Sequence, residues 1–175
     1  MSDSILLGRT LVAWVIATLL FCLPAPCCAW TGKVTGAADG ETITVLHNGQ
    51  PEKIRLWGID RPEKNQDFGT KAKQITSTLV FAKLVEVEPV TVDRYGRTVA
   101  FVRVGDTVVN EKLVRRALAR IFIRYGDRLI CERWEHLETE AREARRGLWS
   151  MPNSVPPWEL RRRMRSPETL WGRGS

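Results

Sequence analysis

From Lys33 onward, apolar and polar residues alternate along the chain. Val34 leads into the turn triplet Ala38-Asp39-Gly40, and Thr42-Ile43-Thr44-Val45 then repeats with period two, which predicts a strand. His47-Asn48-Gly49-Gln50 contains Asn-Gly, whose tolerance of positive φ suits a tight hairpin turn. Lys53-Ile54-Arg55-Leu56-Trp57 resumes the alternation, with Ile54 and Leu56 on one face and Lys53, Arg55 and Trp57 on the other. Over Gln66 to Ala82 the period lengthens: Ala72, Ile75, Leu79 and Ala82 recur at helical steps, with Gly69 near the start. Val85 to Val92 and Thr98 to Val104 are β-branched runs flanking the polar turn Asp93-Arg94-Tyr95-Gly96, which predicts a second hairpin. After the turn Gly105-Asp106, Asn110 is placed to cap a short helix carrying Leu113, Val114 and Leu118.

Leu129 to Arg146 reads as an amphipathic helix, with Ile130, Trp134, Leu137, Ala141, Ala144 and Leu148 as its apolar stripe and Gly147 as its stop. Beyond Trp149, Pro152, Pro156, Pro157, Arg161, Arg162, Arg163 and Arg165 predict an irregular basic tail. Three strands, a helix and two more strands follow the order of a five-stranded Greek-key barrel of the OB type, an α+β fold with about three helices. The intended organisation is residues 1–29 as a targeting segment, 30–150 as the barrel domain and 151–175 as the tail.

Composition adds the partner class. The 175 residues carry a net charge of +7 and an isoelectric point near 9.6, which suits a polyanion such as nucleic acid. Asp3 and Arg9 cancel, so the excess stays on the chain after residue 29. At the N-terminus Arg9 precedes the apolar run Leu11 to Phe21. Pro24, Pro26 and Cys27-Cys28-Ala29 follow, the pattern of a cleaved export signal. Leu11 to Trp30 is uncharged throughout, so an uncleaved membrane anchor is the second expectation. Three of the four cysteines lie in this segment. After cleavage only Cys131 is left, which excludes an intramolecular disulfide and predicts a packed thiol.

Acidic residues cluster where strands meet turns. Asp39-Gly40-Glu41-Thr42 and Arg55-Leu56-Trp57-Gly58-Ile59-Asp60-Arg61-Pro62-Glu63 bring carboxylates beside Arg55, and Asp93-Arg94-Tyr95-Gly96-Arg97 adds a second arginine. Carboxylates able to hold a hard cation beside arginines able to hold phosphate point to phosphodiester chemistry. Singly, each residue has a plainer explanation as turn chemistry or an ion pair. His47 and His136 are read as solvated.

Together with Asn110-Glu111-Lys112-Leu113-Val114-Arg115 and Ala141-Arg142-Glu143-Ala144-Arg145-Arg146-Gly147-Leu148-Trp149, these blocks resemble the staphylococcal-nuclease-like (thermonuclease) family over Lys33 to Trp149. The resemblance implies a calcium-dependent phosphodiesterase acting on DNA and RNA. Single strands are the expected preferred substrates, and the chain is expected to be exported and monomeric, with no obligate protein partner. It implies Glu41, Asp60 and the backbone carbonyl of Arg61 as metal ligands, with Asp39 in the outer shell. Glu63 corresponds to the general base, Arg55 and Arg97 to the phosphate-binding arginines, and Tyr95 and Tyr125 to residues near the substrate. The chain departs from the pattern at four positions. Glu41 replaces the usual Asp, which opens magnesium or manganese as alternatives to calcium. Arg61 replaces a small residue whose role belongs to the main chain. Ala117 replaces a glycine, and Ile123 replaces an aromatic residue. A catalytically silent OB-type module binding single-stranded nucleic acid is the competing expectation.

Overall fold

The structure, a computed structural model, describes residues 29–123 and 128–165. The predicted export segment, apart from Ala29, and Tyr125 lie outside the described residues. Strands β1 (Trp30–Ala37), β2 (Thr42–His47) and β3 (Gln50–Leu56) form an antiparallel meander. Asn48 and Gly49 both take positive φ, 49° and 78°, so the Asn-Gly hairpin forms as its sequence predicts. The two-residue strand β4 (Ile59–Asp60) leads to helix α1 (Gly69–Val80), which returns the chain to β5 (Leu84–Val92). β5 pairs with both β1 and β6 (Thr98–Val104). β6 then pairs in parallel with β3, so β1, β2, β3, β6 and β5 close into a five-stranded barrel of the predicted OB type.

The remaining elements cover one side of the barrel. β7 (Thr107–Val108) folds back antiparallel on the end of β6, and α2 (Val109–Arg115) follows it directly. β8 (Arg120–Ile121) pairs with β4, tying the loop after α2 to the segment that carries Asp60. α3 (Arg128–Glu143) packs on α2, a short 3-10 turn spans Gly147–Ser150, and α4 (Pro157–Arg165) ends the described chain. The basic tail is therefore not irregular over this stretch. Pro157 occupies the first helical position, where its fixed φ and missing N–H cost nothing, and Glu159 lies in the first turn.

Ile43, Val45, Ile54, Leu56, Val85, Val87 and Val102 fill the barrel, each almost fully buried, as the period-two pattern predicts. Trp57 departs from its predicted outward face. Gly58 turns the chain at φ 72°, and the indole enters a cluster with Phe101 and Trp134 at ring separations of 4.8 and 5.8 Å. Of the predicted stripe, α1 buries Ala72 fully and packs Ile75 and Leu79 half-buried against the core, while Thr76 and Val80 are buried beside them. Ala82 lies beyond this helix at φ 61°. His47 is less solvated than predicted. It stacks on Trp30 at 3.9 Å and its Nδ1 lies 3.0 Å from Glu52. His136 is exposed and lies beside Glu140, and Cys131 is a half-buried free thiol.

Two helix ends differ from their sequence reading. Asn110 does not cap α2; it lies inside the helix, fully buried, behind Val108 at the cap position. Its Nδ2 donates to the Trp57 and Ala100 carbonyls at 2.9 and 3.2 Å, and its Oδ1 accepts from Val102 N–H at 3.0 Å. A small amide can satisfy three backbone groups at once there, which a capping role would forfeit. Gly147 does not stop α3. The helix ends at Glu143, and the chain leaves it through a left-handed turn at Arg145 (φ 48°), where Arg146 N–H donates to the Ala141 carbonyl at 2.9 Å. Gly147 is needed for space: a Cβ there would press on the backbone oxygens of Ala117 and Arg116. Ala117 takes φ 51° at the matching position after α2, so the alanine does stand in a conformation that favours glycine.

These two positions predict opposite responses. Arg145→Gly relieves an exposed left-handed residue and should raise stability by about 1 kcal/mol. Gly147→Ala should cost at least about 2 kcal/mol through φ strain and the carbonyl clash. Urea unfolding with unchanged m-values checks both.

Candidate active site

The site lies where the closing strands end. Thr42 pairs with Arg55 across β2 and β3, and the parallel β3–β6 register sets Ile54 beside Thr98, one residue after Arg97. The two arginines and the Glu41-Thr42 step thus share one edge of the barrel. Arg55 Nη2 lies 3.3 Å from Glu41 Oε1 and donates to the Ile59 carbonyl at 3.3 Å, while its buried Nε has no protein partner. Arg97 is drawn to Asp93, with Nε and Nη2 each 2.7 Å from Oδ2, and Nη1 donates to Thr42 Oγ1 at 3.3 Å. Burial pushes the Asp93 carboxyl up, but hydrogen bonds from Arg97 and from Tyr95 N–H outweigh it and hold the group below its usual range. Asp93 is thus a fixed anion that orients Arg97, a role the sequence did not single out.

Asp39 acts through the backbone. Its Oδ1 accepts from Glu41 N–H at 2.8 Å and Thr42 N–H at 2.7 Å, an Asx turn that fixes the approach to β2. Gly40 lies against Ala72 of α1, whose Thr76 hydroxyl donates to the Gly40 carbonyl at 2.9 Å. Glu41 is thereby pinned at the barrel rim with its carboxylate turned toward the β4 loop, where Arg61 N–H donates to Oε2 at 3.0 Å. Burial, opposed by Arg55 and reinforced by the charges of Asp60 and Asp39, raises the Glu41 carboxyl to about 7. The Arg61 side chain is more than the bystander its sequence position implied. Its Nη2 lies 3.5 Å from Asp39 Oδ2, and its Nη1 donates to the Pro62 carbonyl at 2.6 Å.

Asp60 is fully buried, and its Oδ1 has no protein hydrogen-bond partner. Glu63 is held from behind by Gln66, whose Oε1 accepts from Glu63 N–H at 2.8 Å and whose N–H donates to the Glu63 carbonyl at 2.9 Å. Gly69 permits this close turn, since a Cβ there would strike the Glu63 carbonyl. The second oxygen of Asp60 and one oxygen of Glu63 share a partner from α4: Arg161 donates Nη2 to Asp60 Oδ2 at 2.5 Å and Nη1 to Glu63 Oε1 at 2.6 Å. Burial works against that guanidinium's charge, but the two carboxylates outweigh it and strengthen its hold on the proton.

Among the described residues, no three acidic, histidine or cysteine side chains gather into a ready metal cage. The donor chemistry nonetheless suits a hard cation. A buried carboxylate oxygen lacks a partner, a neighbouring carboxyl is pushed up by burial and then by like charges, and calcium completes its shell from carbonyls and water. Tyr95 is exposed, with Arg94 and Arg97 4.8 and 5.6 Å from its ring centroid. Ile123 packs against the core rather than offering a stacking face. Arg161, Gln66 and Asp93 are the site residues that sequence reasoning missed.

A family model described as "Staphylococcal nuclease homologue" matches residues 53–151. The chain belongs to the staphylococcal nuclease family. It is 38% identical over 160 residues to a protein of Shigella flexneri named "Micrococcal nuclease", covering 85% of this chain and 90% of that one. It is 36% identical over 149 residues to an "Uncharacterized endonuclease" of Escherichia coli, covering 85% and 95%. A plant relative, "Staphylococcal-like nuclease CAN1" of Arabidopsis thaliana, is 36% identical over 113 residues, covering 65% of this chain and 34% of its own length. Family membership and barrel closure thus agree with the expectation drawn from the sequence blocks.

The raised Glu41 carboxyl of this staphylococcal nuclease relative carries a pH signature. Between pH 4.5 and about 7 the folded chain keeps a proton there that the unfolded chain has lost. Its contribution to stability is therefore complete below pH 4.5 and disappears as pH rises through about 7. In chelator, the melting temperature of the wild type should fall over that window relative to Glu41→Gln. Thermal melts across the window check the difference, and parallel profiles would contradict it.

Proposed function

We propose that the protein is a metal-dependent nuclease that hydrolyses phosphodiester bonds in DNA and RNA with low sequence specificity. The observation that carries this function is the convergence of Arg55 and Arg97 on one barrel edge beside Glu41 and Thr42, with the Asp60–Glu63 loop across from them. A planar guanidinium can pair two phosphate oxygens, and two such groups can grip a phosphodiester and the charge that builds on it during attack. Recognition through phosphates rather than base edges gives little sequence preference. The exposed Tyr95 offers a face for a neighbouring base, and Tyr125 is proposed as its counterpart.

Glu41, Asp60 and the Arg61 carbonyl are the groups that would hold the cation, with Asp39 reaching it through water. Calcium is the first choice, and magnesium or manganese are alternatives because of the longer Glu41 side chain. When bound, the ion polarises a phosphoryl oxygen and neutralises developing charge. Glu63 takes the proton of a water aligned opposite the leaving oxygen, and Gln66 fixes the backbone from which that side chain projects. Arg55 serves two partners in turn, since its contact with Glu41 is long enough to yield to phosphate. We further propose that residues 1–29 direct export and that the chain works as a monomer.

The experiment uses the chain from Trp30 onward with labelled single-stranded DNA and RNA, titrating calcium, magnesium and manganese separately against a chelator control. Cutting should require a cation, and Glu63→Gln should lower kcat about 10²- to 10⁴-fold while leaving strand binding nearly unchanged. Binding without cutting under every cation would leave a silent single-strand-binding module in place of the enzyme.

A further inference from the structure

The basic residues after Trp149 include one that the proposed reaction does not use. Arg161 reaches back 101 positions to Asp60 and 98 to Glu63, spanning both carboxylates with the two ends of one guanidinium. Its helix is docked rather than loosely laid down. Pro157 is buried, the Trp158 ring packs on Phe122 at 5.2 Å, and Gln66 Nε2 donates to the Val155 carbonyl at 3.0 Å. Arg120, half-stacked on Trp149, donates to the Ser154 carbonyl and hydroxyl at 2.5 and 3.0 Å. Gln66 also fixes the Glu63 loop, so one side chain ties together the base and the segment that covers it.

We propose that α4 is a built-in inhibitory strap in which Arg161 takes the Asp60 oxygen that the cation would use and holds the Glu63 base in the same grip. This inference rests on the metal-dependent function proposed above. A Glu63 oxygen committed to Arg161 cannot accept the proton of an attacking water, and Asp60 Oδ2 cannot ligate an ion while it holds the same guanidinium. A divalent ion beside Arg161 would also face like charge at contact distance. The strap is displaceable because it fits the site incompletely: it leaves Asp60 Oδ1 without a partner, which an ion surrounded by oxygens would engage. Cation and strap therefore compete, and the cation's apparent affinity is its intrinsic affinity multiplied by the fraction of molecules in which the strap is open. Reciprocity requires that cation binding loosen α4 by the same factor.

Calorimetric titration of calcium into the full chain tests the strap, comparing wild type with Arg161→Gln and with Trp158→Ala, which undocks the helix without touching either carboxylate. Both variants should bind calcium about tenfold or more tightly than wild type. In the wild type, calcium should accelerate amide hydrogen exchange across residues 157–165, a measurement that decides the matter even if a variant fails to fold. Equal or weaker affinity in the variants with unaltered exchange overturns the strap, while wild-type cutting would leave the nuclease intact. If Arg161→Gln loses cutting at unchanged calcium affinity, Arg161 belongs to phosphate binding and the strap is again overturned. Tighter binding with no cutting by any of the three proteins would support the strap and sink the nuclease. No binding by any of them, with magnesium and manganese titrated in the same way as calcium, would overturn both.

Discussion

The parallel pairing of β3 with β6 is the contact on which the rest of the molecule depends. Three paired positions, Ile54 with Thr98, Arg55 with Val99 and Leu56 with Ala100, convert an open antiparallel sheet into a closed barrel. Trp57 N–H extends the seam by donating to the Ala100 carbonyl at 2.8 Å. Parallel pairs come from distant parts of the chain and carry a loop-closure cost, so the seam needs support beyond its own hydrogen bonds. Asn110 supplies it, holding Trp57, Ala100 and Val102 from inside α2. Losing that amide would leave buried backbone groups unpaired, each at a cost of about 1–3 kcal/mol. The register that closes the barrel is also the register that brings Arg55 and Arg97 to one edge.

Closure creates an electrostatic problem at the same edge. Asp60 is fully buried and Glu41 nearly so, while Asp39 and Glu63 stand close by. Arg55 and Arg61 offset part of that charge through contacts of 3.3 and 3.5 Å, while burial, with the charges of Asp60 and Asp39 added, still raises the Glu41 carboxyl. Buried charges without adequate partners cost several kcal/mol, so such a cluster persists where something else completes it. A divalent cation and the Arg161 guanidinium are two ways of supplying the missing positive charge. The protein's net charge of +7 then has two layers: arginines fixed around the cleft, and a basic helix laid across it.

Much of the barrel was legible because its signals are local. The Asn48-Gly49 hairpin, the inward Ile54 and Leu56 and the Asp93–Gly96 turn each follow from residues a few positions apart. The clustering of Arg55, Arg97, Glu41 and Asp60 was legible only through the recognised blocks, since their proximity depends on the β3–β6 register. Asn110 was misread because an asparagine before an apolar run is a capping signal, and nothing nearby reveals three distant backbone partners. Gly147 was misread because its own positive φ of 45° serves steric clearance from Ala117 and Arg116, while the left-handed turn that leaves α3 falls at Arg145. For α4 a local clue existed in Pro157 at a helix start with Glu159 behind it, but the run of arginines outweighed it. The partners of Arg161 about a hundred residues upstream left no mark in the local sequence.

The buried carboxylates at the barrel edge are proposed to form one cation site organised around Asp60. Manganese binding followed by electron paramagnetic resonance tests it most directly, comparing wild type with Asp60→Asn, which keeps the shape and removes the charge. One site in the wild type that Asp60→Asn abolishes, in a protein that still folds, is the predicted result. Equal manganese occupancy in the two proteins would contradict the claim and move the ion away from this edge.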